Sequence, residues 1–281
     1  MTSQVPALSV EFFPPKTPEA EGRFWKALPE LLAVNPEFIS ITYGAGGSDR
    51  DSSGKFVCAV KEKVKCGLVA HLTCIGETIE TIEGLLKTYR NAGINEILAL
   101  RGDRADDMPE DIFDKSAFRY ANELTAYLHN THPDLKLGVA AYPETHPEAS
   151  SPEADIEVLK KKQDAGGQYA ITQFFYDNDN YARFLEKCQK AGITIPIIPG
   201  ILPAAYYKQL VRFSDFCGAK VPDSIRNRMD PFLDDPDTLF KKGVELTAEH
   251  VQTLNKIGVP GIHIYTLNRS DATVEIVKAL S

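Results

Sequence analysis

The feature that most constrains the fold is a series of eight short apolar runs, rich in β-branched residues, with helical stretches between them. Successive runs start 30, 30, 28, 41, 32, 26 and 66 residues apart. Most of these intervals fit a strand–helix unit, whose helical crossover makes the next strand parallel to the last. Eight such units in 281 residues predict an α/β fold, the (β/α)₈ TIM barrel. The predicted strands are Leu8–Phe12, Phe38–Thr42, Leu68–Leu72, Glu96–Leu100, Leu137–Ala141, Tyr169–Gln173, Ile195–Ile198 and Gly261–Tyr265.

The stretches between the runs carry helix signals. Thr17-Pro18 supplies an N-cap followed by proline at the first helical position, and Gly93 stands where the third helix should end. The 66-residue interval before the last run is too long for one crossover. It predicts extra helices around Ala204–Cys217, Asp223–Arg228 and Thr238–Ile257. Because no linker divides the chain, we expect one domain over residues 1–281.

Charge and composition exclude several classes of protein. The chain has 31 Lys+Arg against 39 Asp+Glu and no basic block, so neither nucleic acid nor an anionic membrane is an expected partner. No window approaches the roughly 18 apolar residues of a membrane span, and no secretory signal is visible. The five scattered cysteines contain no C-x-x-C pair. These features are typical of a cytoplasmic protein with reduced thiols.

Polar and ionisable side chains follow seven of the eight predicted strands. The active site of a TIM barrel lies at the C-terminal ends of its strands, so these side chains should meet at one rim. They are Glu11, Thr42 and Tyr43 with the loop Gly44–Ser48, His71 and Thr73, Arg101–Asp103, Tyr142–His146, Gln173 and Tyr265–Arg269.

Glu11 is the strand-end residue best suited to proton transfer. It lies between Val10 and Phe12, and apolar neighbours that partly desolvate a carboxyl raise its pKa. A carboxyl with a raised pKa is suited to act as a general acid near neutral pH. The alternative is a structural carboxylate paired to a neighbouring cation, and sequence position leaves both open.

Two neighbouring strand-end loops carry more ambiguous signals. Asp103 is placed either to face an electron-poor ring or to pair with Arg101 or Arg104. Three of the five residues in Gly44–Ser48 are glycine, which lets the backbone approach a ligand closely but equally suits a tight turn. That loop matches neither the Walker A nor the G-x-G-x-x-G motif.

The helix after strand five presents a pair of opposite charges. Asp155, Leu159 and Lys162 are spaced i, i+4 and i+7, so they share one face and the two charges could reach one polar ligand. The alternative is two solvated surface charges. Histidines at 71, 146 and 263 approach the barrel mouth without the local pairing typical of metal sites, so no metal is expected. No predicted strand ends in the lysine that Schiff-base chemistry needs.

Seven blocks of sequence resemble the methylenetetrahydrofolate reductase family. They occur in order between residues 9 and 269, each at or beside a predicted strand end, and together they are very specific. The blocks are Ser9–Lys16, Thr42–Ser48, Ala99–Asp103, Ala140–Ala149, Ala170–Tyr176, Ile197–Pro203 and Tyr265–Arg269.

The resemblance implies a flavoprotein that binds FAD. In that family a hydride passes from NADH or NADPH through the flavin to 5,10-methylenetetrahydrofolate, giving 5-methyltetrahydrofolate, and the two substrates use the same flavin face in turn. By motif position Glu11 would be the general acid. Asp103 would lie near the flavin and hydrogen-bond the pterin, where a carboxylate stabilises positive charge. Gln173 would also hold the pterin.

The same motif positions imply two sets of binding residues. The positions for FAD are Thr42, Tyr43, Ala45, His71, Leu100, Arg101, Gly102, Asp103, Tyr120, Tyr142, His146, Asp155 and Lys162. The positions for folate or nicotinamide are Glu11, Asp103, Gln173, Gln209, Phe213, Tyr265, Leu267 and Arg269. On this alignment Asp155 would hold a sugar hydroxyl and Lys162 a phosphate. Phe213 has a second explanation, since it shares a helical stripe with Leu210 and Cys217 that would suit a core.

The sequence also departs from the family pattern. The acidic stretch Arg104–Arg119 matches no family block, so the assignment of Tyr120 depends on the alignment. The chain stops soon after the eighth strand, so we expect a short, bacterial-type form without the regulatory S-adenosylmethionine domain. A homo-oligomer is expected by family alone.

The sequence leaves three other functions open. The first is the same flavin barrel fed by a ferredoxin or a partner subunit in place of NAD(P)H. The second is a flavin- or folate-binding protein without turnover, against which Glu11, Asp103 and Gln173 together argue because binding alone needs no positioned acid. The third is a metal-dependent barrel hydrolase.

Overall fold

A computed structural model describes residues 6–43, 50–103, 109 and 111–281. Eight parallel strands form a closed barrel in chain order, and the eighth pairs with the first. The fold is therefore the predicted TIM barrel, and each predicted strand overlaps an observed one. The strands are β1 (Leu8–Phe12), β2 (Phe38–Ile41), β3 (Gly67–Thr73), β4 (Glu96–Leu100), β5 (Lys136–Ala141), β6 (Tyr169–Phe174), β7 (Ile197–Ile201) and β8 (Ile262–Tyr265).

Helices cover the outside of the barrel. In the first of them the Thr17 hydroxyl accepts the Ala20 N–H at 3.2 Å, which confirms the predicted N-cap. Gly93 has φ +74 just after the third helix, as a C-terminal stop requires. The helices are α1 (Pro18–Leu32), α2 (Arg50–Lys61), α3 (Ile79–Asn91), α4 (Ile112–Lys115), α5 (Ala121–Thr131), α6 (Pro152–Asp164), α7 (Asn178–Lys190), α8 (Tyr207–Cys217), α9 (Asp223–Met229), α10 (Pro236–Ile257) and α11 (Asp271–Leu280).

The three extra helices predicted between the last two strands are present as α8, α9 and α10. A 3₁₀ turn at Ala204–Tyr206 leads into α8, and another at Asp230–Phe232 follows α9. These helices bury a hydrophobic cluster of their own, which includes Leu210, Ile225 and Met229. This insertion extends one side of the barrel wall beyond β7.

Strand residues alternate between the helices and the barrel interior. Val10 and Phe12 are fully buried in the main core, where the Phe12 ring packs edge-on against Phe24 of α1. Ser9 and Glu11 point the opposite way, into the barrel, because side chains on a strand alternate faces. The same alternation brings polar side chains from several strands together inside the barrel, near its C-terminal end.

The cysteines and the helices bear on two further expectations, reduced thiols and the lack of a membrane-spanning helix. All five cysteines lie in the described part of the chain, none is in a disulfide, and Cys74 and Cys188 are buried. Among the helices described, none combines the length and the apolar character that crossing a membrane requires.

Candidate active site in the barrel mouth

Glu11 lies at the centre of a polar cluster inside the barrel. Its Oε2 atom accepts a hydrogen bond from the Ser40 hydroxyl at 3.3 Å. The same oxygen lies 3.3 Å from Nε2 of His263 and 3.4 Å from Nε2 of His71. These partners come from β2, β8 and β3, so three strands fix the position of one carboxyl that is 16% exposed.

The sequence predicted a raised pKa for Glu11, and that prediction is wrong. Burial does raise the pKa of this carboxyl, but its combined interactions with His71, His263 and Ser40 outweigh burial and lower it. Burial in turn lowers the pKa of His71, because desolvation disfavours the imidazolium. The cluster therefore holds Glu11 as a carboxylate. The sequence missed this result because its cause lies on other strands.

The cluster continues from Glu11 through His263 to Ser9. The Ser9 hydroxyl lies 2.8 Å from Nδ1 of His263, whose other nitrogen faces Glu11. The Ser9 hydroxyl also donates to the Ile262 carbonyl at 3.1 Å, so Ser9 is held by the backbone of β8 as well as by the His263 ring. The His263 ring also stacks on Phe38 at 5.9 Å between centroids, which fixes its plane. Sequence reasoning had treated His263 only as a possible metal ligand.

A cavity of about 650 Å³ opens beside this cluster. Its described wall comes from the ends of β2, β3, β4 and β5 and from α5 and α6. Twelve residues that the family resemblance assigned to FAD line it: Thr42, Tyr43, His71, Leu100, Arg101, Gly102, Asp103, Tyr120, Tyr142, His146, Asp155 and Lys162. The thirteenth, Ala45, lies with the rest of Gly44–Ser48 outside the described residues.

Lys162 brings a buried positive charge to the cavity wall. It is 8% exposed, and burial lowers the pKa of its ammonium group to about 8. Its Nζ donates one hydrogen bond, to the Ala140 carbonyl at 2.9 Å. Asp155 lies on the same face of α6, half-buried, and accepts the His146 backbone N–H at 2.9 Å. The alternative of two solvated charges is therefore wrong for this pair.

The turn after β4 places one charge on the cavity wall and holds another in an ion pair. Arg101 makes a two-pronged pair with Glu148, at 2.5 and 2.7 Å. Asp103 is exposed on the cavity wall, and Arg101 makes its hydrogen-bonded ion pair with Glu148 rather than with Asp103, whose charge acts on Arg101 only at longer range. Arg104 lies outside the described residues. Gly102 has φ +87, and an added Cβ would come within 2.6 Å of Ile75, so this turn requires glycine.

The residues assigned to substrate lie on the other side of the mouth. Among the described wall residues of the 650 Å³ cavity, only Asp103 belongs to the substrate set. The Tyr265 side chain reaches from β8 across β7 to β6, where its hydroxyl donates to the Thr172 carbonyl at 2.6 Å. Gly200 makes room for that crossing, since a Cβ there would lie 2.7 Å from the Tyr265 hydroxyl oxygen. Gln173 is half-buried and its Oε1 accepts the Phe174 N–H at 3.0 Å.

The other four substrate positions lie on α8 and the loop after β8. Phe213 is 39% exposed while Leu210 is fully buried, so the explanation of Phe213 as a core residue is wrong. Gln209 is exposed on the same helix. Arg269 pairs with Asp271 at 2.6 Å, and Leu267 adopts φ +53, an unusual backbone for a non-glycine residue.

Several residues of the mouth escaped the sequence reasoning. Val158 and Lys161 line the cavity from α6, and the i, i+3 spacing of Asp155 and Val158 was a usable signal. Glu77 lines the cavity from the turn before α3, where no pattern marks it. Asn268 was predicted only as part of the strand-end segment Tyr265–Arg269, and its role is new: it exchanges hydrogen bonds with the backbone of Phe13 at 3.0 and 2.8 Å and so holds the loop after β1.

The described residues include no group of three or more His, Cys, Asp or Glu side chains arranged to hold a metal ion. His71 Nε2 is buried without a hydrogen-bond partner of adequate geometry. The mouth thus combines a carboxylate held by histidines, a buried ammonium group and an exposed carboxylate. Such a set can orient an anionic cofactor and transfer a proton.

Comparison with known proteins identifies the family. The family model for methylenetetrahydrofolate reductase matches residues 1–281. The 5,10-methylenetetrahydrofolate reductase of Escherichia coli (strain K12) is 38% identical over 275 residues, covering 97% of this chain and 90% of that protein. The methylenetetrahydrofolate reductase (NADH) 1 of Zea mays is 34% identical over 284 residues, covering 98% of this chain and 48% of that protein.

A solved structure from Clostridium thermocellum, of an uncharacterised protein that binds two copies of 5-methyl-5,6,7,8-tetrahydrofolic acid, covers 99% of this chain and 94% of its own. Its TM-score is 0.63 at 16% identity, so the likeness concerns the fold alone. The fold, the strand-end residues and the sequence matches agree: the chain belongs to the methylenetetrahydrofolate reductase family.

Proposed function

We propose that this protein reduces 5,10-methylenetetrahydrofolate to 5-methyltetrahydrofolate, with bound FAD as the hydride carrier and NADH or NADPH as the donor. The observation that carries the proposal is the 650 Å³ cavity, because all twelve described residues assigned to FAD from sequence meet on its wall. Family membership supplies the reaction, since the Escherichia coli relative is named for it.

The cavity suits a dinucleotide flavin in size and charge. Its volume falls within the range of about 300–1,000 Å³ typical of ligand pockets. The buried Lys162 ammonium has three N–H donors and uses one of them on Ala140. A phosphate oxygen would satisfy the remaining donors and balance the buried charge. We therefore assign Lys162 to the diphosphate, and Asp155 to a sugar hydroxyl.

When bound, FAD accepts a hydride from the nicotinamide and gives it to the folate, and the two substrates visit in turn. The chain supplies acid–base groups and orientation. In our proposal Glu11 protonates the folate as its five-membered ring opens, Asp103 stabilises positive charge on the pterin, and Gln173 holds the pterin.

The lowered pKa of Glu11 sets a condition on this role. A carboxylate must gain a proton before it can act as an acid, and exclusion of water by the substrates would raise its pKa toward that point. His263 lies 3.3 Å from Oε2, and in its imidazolium form it would pass the Nε2 proton to Glu11 and be left as the neutral ring. We therefore expect Glu11 to be protonated in the substrate complex and ionised without substrate.

The proposed electron donor is a nicotinamide dinucleotide. The maize relative is named as an NADH enzyme, which supports a nicotinamide donor. A ferredoxin or a partner subunit remains the alternative. Gln209 and Phe213, exposed on α8, are the residues we assign to nicotinamide and folate.

The test is a sequence of three measurements on the purified protein. We expect a flavin absorption spectrum, release of FAD on denaturation, and bleaching of the flavin by NADH or NADPH in the absence of oxygen. Added 5,10-methylenetetrahydrofolate should then restore the oxidised spectrum. A protein that takes up no FAD would overturn the proposal, whereas a flavin that neither nucleotide bleaches would favour the partner-fed alternative.

A further inference from the structure

Glu77 is a buried carboxylate in the cavity wall that the proposed mechanism does not use. It is 2% exposed, although it lies in the turn between β3 and α3 rather than in a regular element. Its Oε1 accepts the Tyr43 hydroxyl at 3.2 Å and its Oε2 accepts the Thr81 hydroxyl at 2.8 Å. Carboxylates are seldom this buried unless they are paired or hydrogen-bonded, as Glu77 is here.

Main-chain contacts fix this carboxylate from two sides. The Glu77 N–H donates to the Cys74 carbonyl at 3.2 Å, and the Glu77 carbonyl accepts the Ala117 N–H at 2.7 Å. The neighbouring Gly76 N–H donates to the Ser116 hydroxyl at 2.7 Å. The turn is thereby tied to the segment that leads to Tyr120 on the cavity wall. Oε1 is consequently a fixed acceptor and not a mobile surface charge.

Tyr43 is the residue that this acceptor orients. It follows the end of β2, outside any helix or strand, and lines the same cavity. A carboxylate oxygen only accepts, so the Tyr43 hydroxyl must direct its proton toward Glu77. A hydroxyl that donates its proton to Glu77 can act toward a ligand only as an acceptor, which suits an O–H or N–H donor of the ligand and repels phosphate.

We propose that Glu77 is a positioning residue for the cofactor, holding Tyr43 with its hydroxyl oriented to accept a hydrogen bond from a hydroxyl or amino group of the ligand. This inference rests on the proposed function, because it takes the cavity as the FAD site. It assigns the cavity two chemically different ends: Lys162 suits the anionic part of the cofactor, and the pair of Tyr43 and Glu77 suits a neutral donor group.

The competing explanation is that Glu77 only stabilises the start of α3. A carboxylate beside a helix N-terminus is favourable in any case, and Thr81 and Thr78 form a capping box there. The two explanations differ in one respect. A positioning role requires that the effect of Glu77 on cofactor binding pass through the Tyr43 hydroxyl.

The experiment is a double-mutant cycle on FAD affinity, measured by flavin fluorescence on the full chain after the flavin is removed. We expect Glu77→Ala and Tyr43→Phe each to weaken FAD binding about tenfold, and the double variant to be no weaker than the weaker single variant. Glu77→Gln should recover affinity to within about threefold of the original, since an amide oxygen still accepts the Tyr43 hydroxyl.

Thr78→Ala is the matched control, because it removes the N-cap bond to the Thr81 N–H at 3.3 Å without touching the carboxylate. We expect it to lower the melting temperature and to leave FAD affinity unchanged. Additive effects of the two single variants, or an equal loss of affinity in Thr78→Ala, would overturn the positioning role alone. If the unsubstituted protein bound no FAD, the proposed function itself would fail.

Discussion

The two sides of the barrel mouth differ in how their polar groups are satisfied. We call the cavity residues from β2 to β5 and α6 the cofactor side, and Gln173, Gln209, Phe213, Tyr265, Leu267 and Arg269 the substrate side. On the cofactor side the Lys162 ammonium is buried and donates a single hydrogen bond. On the substrate side Tyr265 donates to a carbonyl and Arg269 pairs with Asp271.

This difference matches the two kinds of ligand in the proposed reaction. A cofactor that stays bound can complete a preformed cavity, and its binding energy offsets the cost of burying a lysine. Two substrates that alternate at one place instead need a wall whose polar groups have partners when neither is present. Glu11 lies at the junction, since its partners come from β2 and β3 on one side and β8 on the other.

The largest expected effect is at that junction. Glu11→Gln removes the acid but keeps the shape of the side chain, so folate reduction should fall about 10³-fold. Reduction of the flavin by NADH or NADPH needs no proton from Glu11 and should change less than about threefold. Stopped-flow absorbance follows both half-reactions separately.

Glu19→Gln is the control for that experiment, because Glu19 is an exposed carboxylate in the first turn of α1. It should leave both half-reactions unchanged. Folate reduction at the original rate in Glu11→Gln would remove Glu11 as the acid. Loss of both half-reactions together would show that the two sides of the mouth do not act separately.

The second prediction concerns stability behind the substrate side. His250 of α10 is 5% exposed and packs against the rings of Phe175 and Tyr176, and burial lowers its pKa from 6.5 to about 4. Between pH 6.5 and 4 the unfolded chain binds a proton that the folded chain does not, so stability falls as the pH falls. The loss from this residue should reach about 3 kcal/mol at pH 4.

Denaturant unfolding of the original protein and of His250→Leu at pH 7 and pH 4.5 measures this effect. The variant should lose less stability between the two pH values than the original does. Equal losses would mean that other groups, such as Glu11 with its histidine partners, account for the acid sensitivity.

The third prediction concerns the buried charge on the cofactor side. Lys162→Met removes a charge-assisted contact to the phosphates, so FAD binding should weaken about 30-fold, or about 2 kcal/mol. The stability of the flavin-free protein should be unchanged or higher, because a buried ammonium with few partners is costly. Since the pKa of Lys162 is about 8, the FAD affinity of the original protein should fall above pH 8.

Lys160→Met tests whether that loss is specific to the cavity. Lys160 lies on the same helix but pairs with Asp164 and does not line the described cavity wall. FAD titrations should show the original affinity and the original pH dependence for Lys160→Met. An equal loss in both variants would contradict the assignment of Lys162 to the phosphates.

The sequence predicted the barrel well because its signal is local. Apolar runs mark strands whatever their neighbours are, so β1 and β4 were predicted at their observed bounds. The run at Ile195–Ile198 was placed two residues early relative to β7, because Ile195 and Pro196 precede the first paired residue. The helix starts followed from caps such as Thr17 in the same way.

The site was harder to predict where its properties depend on several strands. The family motifs gave most of the cavity wall, but the pKa of Glu11 depends on His71 and His263, which lie 60 and 252 residues away along the chain. Glu77 carries no periodic signal, because it lies in the turn between β3 and α3 and therefore on no helix or strand face. The pKa of Glu11 and the role of Glu77 could therefore be found only from the structure, whereas the strands and the helix caps could be predicted from the sequence.

The smallest expected effects come from two exposed aromatic residues, one on each side of the mouth. Phe213 is 39% exposed on the substrate side and Tyr120 is 48% exposed on the cofactor side. Phe213→Ala should raise the KM for folate about fivefold, equivalent to about 1 kcal/mol of lost stacking, and leave FAD affinity unchanged. Tyr120→Ala should instead weaken FAD binding about fivefold and leave the KM for folate unchanged. Both should change the free energy of unfolding by less than about 0.5 kcal/mol, because little of either ring is packed.

These paired variants test the division of the mouth more finely than Glu11→Gln does. Steady-state kinetics gives the KM for folate, and fluorescence titration gives the FAD affinity of the same preparations. If Phe213→Ala weakened FAD binding as much as it raised the KM for folate, the Phe213 ring would contact the cofactor. Phe213 would then belong to the cofactor side. If instead Tyr120→Ala altered only the KM, Tyr120 would belong to the substrate side despite lining the cavity.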